Sequence, residues 1–194
     1  MDKKEKLRKW LWFGLDETTA KKYQRKLSAE NVRIIRNESV IIAGIGALYT
    51  ICMLVLSHVY VKSLVCIIGA AWMFCIFLYT HSLLKKQDEI SKQETYASIG
   101  SFMICAYAVS IYVGTIGAGN ELAVTIVSLF VFLPTNFDLL PIYNLHITIV
   151  ALAMFFVSSY ITKTPDKFMY DVMDGILAAV IGNFAGYKLA EGQS

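Results

Sequence analysis

From residue 40 onward the chain alternates long apolar runs with short polar breaks, and this pattern dominates the sequence. A bilayer has a hydrocarbon core about 30 Å thick, which takes about 20 helical residues to cross. Six runs are candidates: residues 39–56, 59–79, 97–116, 122–134, 142–161 and 168–189. The expected fold class is therefore all-α, a polytopic membrane helix bundle of about six transmembrane helices. The fourth run is the weakest. Glu121 bounds it on one side and Pro134 on the other, so it predicts either a short crossing or a re-entrant segment.

Residues 1–38 form a different region, an expected amphipathic helical arm ahead of a transmembrane domain of residues 39–189 and a short tail of residues 190–194. Asp16 suits a helix cap, with Glu17 in the first turn and basic residues later, which matches the helix dipole. Ala20, Tyr23, Leu27, Ile34 and Ile35 approximate one helical stripe. Upstream, Trp10, Trp12 and Phe13 lie among Lys3, Lys4, Lys6, Arg8 and Lys9, a mixture suited to a helix in the headgroup region. The aromatic cluster is too short for a cleavable signal core, so the first span is expected to act as an uncleaved anchor. Gly114, Gly117, Gly119 and Asn120 predict a tight turn, and Thr135 to Asp138 between Pro134 and Pro141 predict another. No loop is long enough to fold as a domain, and the tail is expected to be too short for a soluble output domain.

Composition agrees with this. Of 194 residues, 56% are apolar and the mean hydropathy is +0.54, more apolar material than a soluble chain of this size buries in one core. The net charge of +3 conceals a strong asymmetry, because eleven of the eighteen Lys and Arg lie between Lys3 and Arg36. A basic block beside a span predicts anionic lipid headgroups as partner, and no nucleic acid. With the N-terminus inside, the inner segments carry eleven, three, zero and one basic residues, against Lys62, Lys163 and Lys167 outside. Basic residues favour the cytoplasmic side, so both termini are expected there, with the Lys163/Lys167 loop as the discordant point.

The chain carries no motif for catalysis. Cys52, Cys66, Cys75 and Cys105 sit in apolar runs without a C-x-x-C pair, so neither a disulfide framework nor a metal site is expected, and no cofactor is implied. No H-E-x-x-H, G-x-S-x-G or P-loop is present. His81 and Cys105 lack a third orienting group for a cysteine protease. Polar groups inside spans do call for explanation, because they are expensive there. Asp171 and Asp174 are three apart and read as sharing one helix face near the outer end. They suit a site responsive to a ligand, cation or proton, or else interfacial carboxylates that cap a helix or pair with Lys167. From Asp174 a small-residue stripe of Ala178, Gly182 and Gly186 permits close approach of a second helix, within the chain or from another copy. Asn183, Asn144 and His146 fall at similar depth near the inner ends of the last two spans and suggest a polar packing or switch node.

Three stretches carry a family resemblance. They are the arm from Tyr23-Gln24 through Asn31 to Asn37-Glu38-Ser39, the turn PTNFDLLPIYN from Pro134 to Asn144, and Thr164-Pro165-Asp166 followed by Asp171, Asp174 and Asn183. Together they resemble the N-terminal multi-span membrane module of bacterial diguanylate cyclases, especially those of Gram-positive bacteria. The resemblance implies a sensory input module that precedes a dimeric cytoplasmic GGDEF cyclase domain. The matching positions here would be Asp138, Asn144, Asp171, Asp174 and Asn183. The sequence departs from that pattern by stopping at Ser194, so no cyclase residue can be assigned. The expectation is a sensor or anchor module in the bacterial plasma membrane, taking a small ligand and forming a homodimer. The competing reading is a small transporter or channel with Asp174, Asn183 and His146 along a polar path.

Overall fold

A computed structural model describes residues 17–57, 60–86, 90–137 and 141–193. Among them every regular element is helical: α1 (Glu17–Cys52), α2 (Tyr60–Lys85), α3 (Lys92–Gly114), α4 (Val124–Asn136), α5 (Pro141–Thr162) and α6 (Pro165–Gln193). A single π-helical turn, Met53–Ser57, extends α1. Five stretches are long and apolar enough to cross a membrane: Ser28–Val55, Val61–Lys85, Gln93–Gly114, Asn144–Thr162 and Pro165–Lys188. Helices satisfy their backbone groups internally, which is what hydrocarbon demands of a spanning segment. The fold is a polytopic helical bundle.

The arm and the first span are one helix, because α1 runs from Glu17 without a break at residues 38 and 39. Within it, Ser28, Asn31, Val32, Ile35 and Ser39 are buried, while Ile34 is only half-buried. That inward stripe is largely polar, so a search for apolar periodicity passes over it. The basic and aromatic segment before residue 17, including the Asp16 cap, lies outside the described residues. At the start of α3, the Ser91 hydroxyl accepts from the Glu94 amide at 3.2 Å, and the Ser91 amide donates to the Glu94 carboxylate at 2.9 Å. This reciprocal capping box fixes where the third long helix begins.

The chain divides into two compact units. In Gln24–Val109, helices approach closely at small residues: a Cβ on Gly46 would sit 3.3 Å from the Ala70 Cβ, and Gly69 faces the Val109 side chain. The Trp72 indole donates to the Ser101 hydroxyl at 2.9 Å, and the Cys105 thiol donates to the Gly69 carbonyl at 3.7 Å.

The second unit, centred on Ser110–Ser194, holds α4, α5 and α6. Its core gathers Ile126, Phe130 and Leu133 from α4, Phe155 from α5, and Ala178 and Ala179 from α6. The Phe130 and Phe155 rings lie 6.1 Å apart, and Gly175 makes room for Phe155 and Phe156. α4 has 13 residues, which is roughly 20 Å of helix. It runs in the same direction as α6: Ala123 meets Asp171, Phe130 meets Gly182, and Pro134 meets Gly186. Its start lies with the α5–α6 turn, where Asn120 accepts from Thr164, and its end lies by Asn144 near the start of α5. α4 therefore traverses the α5–α6 pair from one end towards the other, and does not turn back on itself.

Candidate functional site

Two polar centres mark the second unit, one at each end of α4. The first is built around Asp171, which is 1% exposed. Its Oδ2 accepts from the Ser159 hydroxyl and pairs with the Lys163 ammonium, both at 2.6 Å. Its Oδ1 accepts from the Ala123 amide at 3.2 Å. The Lys163 side chain is wholly covered and also donates to the Glu121 carbonyl at 2.6 Å. Beside it, the Thr164 amide and hydroxyl both donate to the Asn120 side-chain oxygen Oδ1 at 3.0 Å. The Thr115 and Ser158 hydroxyls share a 2.7 Å bond, and Gly119 turns the connecting loop at φ 63°.

Each of these contacts has a structural consequence. α4 begins at Ala123 without a capping side chain of its own. The first amides of a helix have no intrahelical partner and carry partial positive charge, so a carboxylate there is favourable. α6 supplies it. Lys163 then neutralises that carboxylate, so the buried centre carries no net charge. It ties the loop before α4, the end of α5 and the start of α6 together.

The second centre lies along the small residues of α6. Pro134 has no N–H to offer the Phe130 carbonyl, and the Pro134 carbonyl lies in the last turn of α4. Gly182 sits directly against the Phe130 carbonyl and Gly186 against that of Pro134. A Cβ on Gly182 would also come within 2.8 Å of the Val131 Cα, and one on Gly186 within 2.9 Å of the Pro134 carbonyl carbon. Glycine Cα–H groups thus lie against backbone carbonyls, a weak but recurrent kind of contact. The Asn144 amide donates to the same Pro134 oxygen at 3.5 Å, while its own oxygen is buried with no partner among the described residues. Nearby, Asn183 donates to the Thr148 hydroxyl at 3.2 Å and to the Ala179 carbonyl at 2.9 Å.

The residues singled out from sequence are therefore distributed unevenly. Asp171 and Asp174 do not share an environment: Asp171 is buried and Asp174 is exposed. A helix turns about 100° per residue, so three positions leave an offset of about 60°, enough to move Asp174 past the edge of the packed face. The inward stripe runs through Asp171, Gly175, Ala178, Gly182 and Gly186, all buried. Asn183 is bonded within the bundle, Asn144 lies at the end of α4, and His146 is exposed on α5. The partner of Asp171 is Lys163 and not Lys167. Asp138 lies outside the described residues. Among the described residues no group of three or more His, Cys, Asp or Glu could hold a metal ion.

Sequence reading passed over Ser159, Lys163 and Asn120 as site residues. Lys163 stood out only as a charge discordant with the topology. The local signal was Ser159 and Lys163 four apart beside the Thr164-Pro165 turn, which places both on one face where α5 ends.

These features define a helical multi-pass membrane protein in which a short helix is anchored to the last long one by a buried carboxylate at one end and by close glycine packing at the other. In comparisons with known proteins, no family model, curated protein or solved structure matches the chain.

Proposed function

We propose that the chain is the membrane-embedded sensor or anchor module of a bacterial signalling protein, with α6 as the coupling helix. One observation carries this reading: α6 is held by other helices at two separated levels. Asp171 is bound to α4, α5 and the α5–α6 turn, while Gly182 and Gly186 pack directly against the Phe130 and Pro134 carbonyls of α4. A movement of α4 must therefore move α6. A signal requires two helix arrangements with different affinity for the stimulus. The sequence resemblance supports a cytoplasmic diguanylate cyclase as output and a homodimer as working state. The basic asymmetry supports an N-terminus in the cytoplasm and residence in the plasma membrane.

The transport reading needs Asp174, Asn183 and His146 along one path. Asp174 and His146 are exposed and Asn183 is engaged by Thr148, which supports coupling over conduction. The test is flux of sodium, potassium and protons in vesicles reconstituted with the protein. The expected result is the same leak as in empty vesicles for wild type and for Asp174→Asn. Flux in wild type that Asp174→Asn abolishes would overturn the sensor reading and establish a transporter.

A further inference from the structure

The outward face of α6 presents Tyr170, Met173, Leu177, Val180 and Phe184, all more than half exposed. Their spacing follows a helical seam of three and four, the pattern that receives another helix. Asp174 stands exposed on the flank of this apolar seam, between it and the packed face. It lies seven residues beyond Lys167, about 10 Å further along the helix and inside the apolar span Pro165–Lys188. Among the described residues it has no hydrogen bond or ion pair, in contrast to Asp171, whose carboxylate accepts from three groups. A carboxylate at this depth needs a donor, and lipid tails provide none.

We infer that this face of α6 docks a transmembrane helix of a partner protein that carries a lysine or arginine at the depth of Asp174. Charge complementarity selects this occupant. A basic side chain neutralises the carboxylate, while the flanking apolar side chains supply the packing surface. A second copy meeting symmetrically through the same seam would set Asp174 beside Met169 and Ile176, which offer no donor. The inference stands apart from the sensor reading, because a docked helix would suit an anchor, a sensor or a transporter subunit equally.

The experiment uses the full chain in phosphatidylcholine vesicles with synthetic transmembrane peptides of a leucine–alanine host. Three peptides differ only in carrying lysine, leucine or glutamate about 10 Å inside one end. Association is read by energy transfer between a dye on the peptide and one on the protein. The lysine peptide is expected to associate at least about tenfold more strongly than the leucine peptide, and the glutamate peptide no better than leucine. Asp174→Leu should remove the lysine advantage, and Asp174→Asn should reduce it while preserving side-chain shape. If Asp174→Leu does not fold, the asparagine variant alone decides. Equal association of the lysine and leucine peptides, or a lysine advantage that survives the substitution, would overturn the inference. So would energy transfer between two labelled copies of the protein that rises in Asp174→Asn, since that would assign the face to self-association.

Discussion

The Asp171–Lys163 pair is a residue-scale device whose worth depends on both members being present. Each ion has given up solvent, and each is stabilised by the other and by neighbouring hydrogen-bonding groups. Removing one member leaves a buried charge uncompensated, which typically costs about 3–5 kcal/mol. Asp171→Leu should therefore destabilise strongly, and so should Lys163→Met. The double variant should recover much of the loss, because an apolar pair of similar volume is often neutral in such a place. Its recovery should still be incomplete, since Ala123 and Ser159 lose their acceptor. A double-mutant cycle in reversible unfolding from detergent micelles measures the coupling. Additive single effects would mean that the two charges act independently.

At the scale of elements, the α4–α6 contact decides whether the short helix keeps its place. Gly182 and Gly186 leave no room for a methyl group, because the obstacle is the backbone of α4 and not a side chain that can turn away. Gly182→Ala and Gly186→Ala should each cost about 1–3 kcal/mol or more, since α4 must shift to relieve the overlap. Gly44 and Gly100 are helical glycines with open space where a Cβ would go. Alanine there should be neutral or stabilising by up to about 1 kcal/mol, the ordinary gain of replacing glycine inside a helix. Thermal unfolding of the four variants in one detergent separates the two classes. The sequence marks Gly182 and Gly186 by their place in a small-residue stripe. Only the structure shows that the obstacle they avoid is the backbone of α4.

For the whole molecule, the crossing of α4 sets the number of passes and so the side on which the α5–α6 turn emerges. With α4 crossing, Lys86 and Asp166 lie on opposite sides of the membrane; without it, they lie on the same side. Both residues are exposed and suitable for labelling. In a background with the four native cysteines replaced, Asp166→Cys should react with an impermeant maleimide added to intact cells. Lys86→Cys should react only after permeabilisation. Equal reactivity of the two would contradict the crossing. The result also tests the N-in orientation, for which Lys163 was the awkward charge. Lys163 is turned inward onto Asp171, so it acts as an internal counter-ion more than as a loop charge read by the membrane.

The helical class and the approximate spans were legible in the sequence, because hydrocarbon leaves a spanning chain few ways to satisfy its backbone and the apolar runs have the required length. The small residues of α6 were also visible, since their spacing places them on one side of a helix. What lay beyond sequence was which partner each polar group would find. Whether Asp171 or Asp174 faces inward turns on an offset of about 60°, and that is settled by the helices packed around α6 and not by α6 itself. The cap of α4 comes from a carboxylate 48 residues further along the chain, and no local pattern encodes a bond of that range. Tertiary packing made one aspartate part of the internal framework and left its neighbour facing outward.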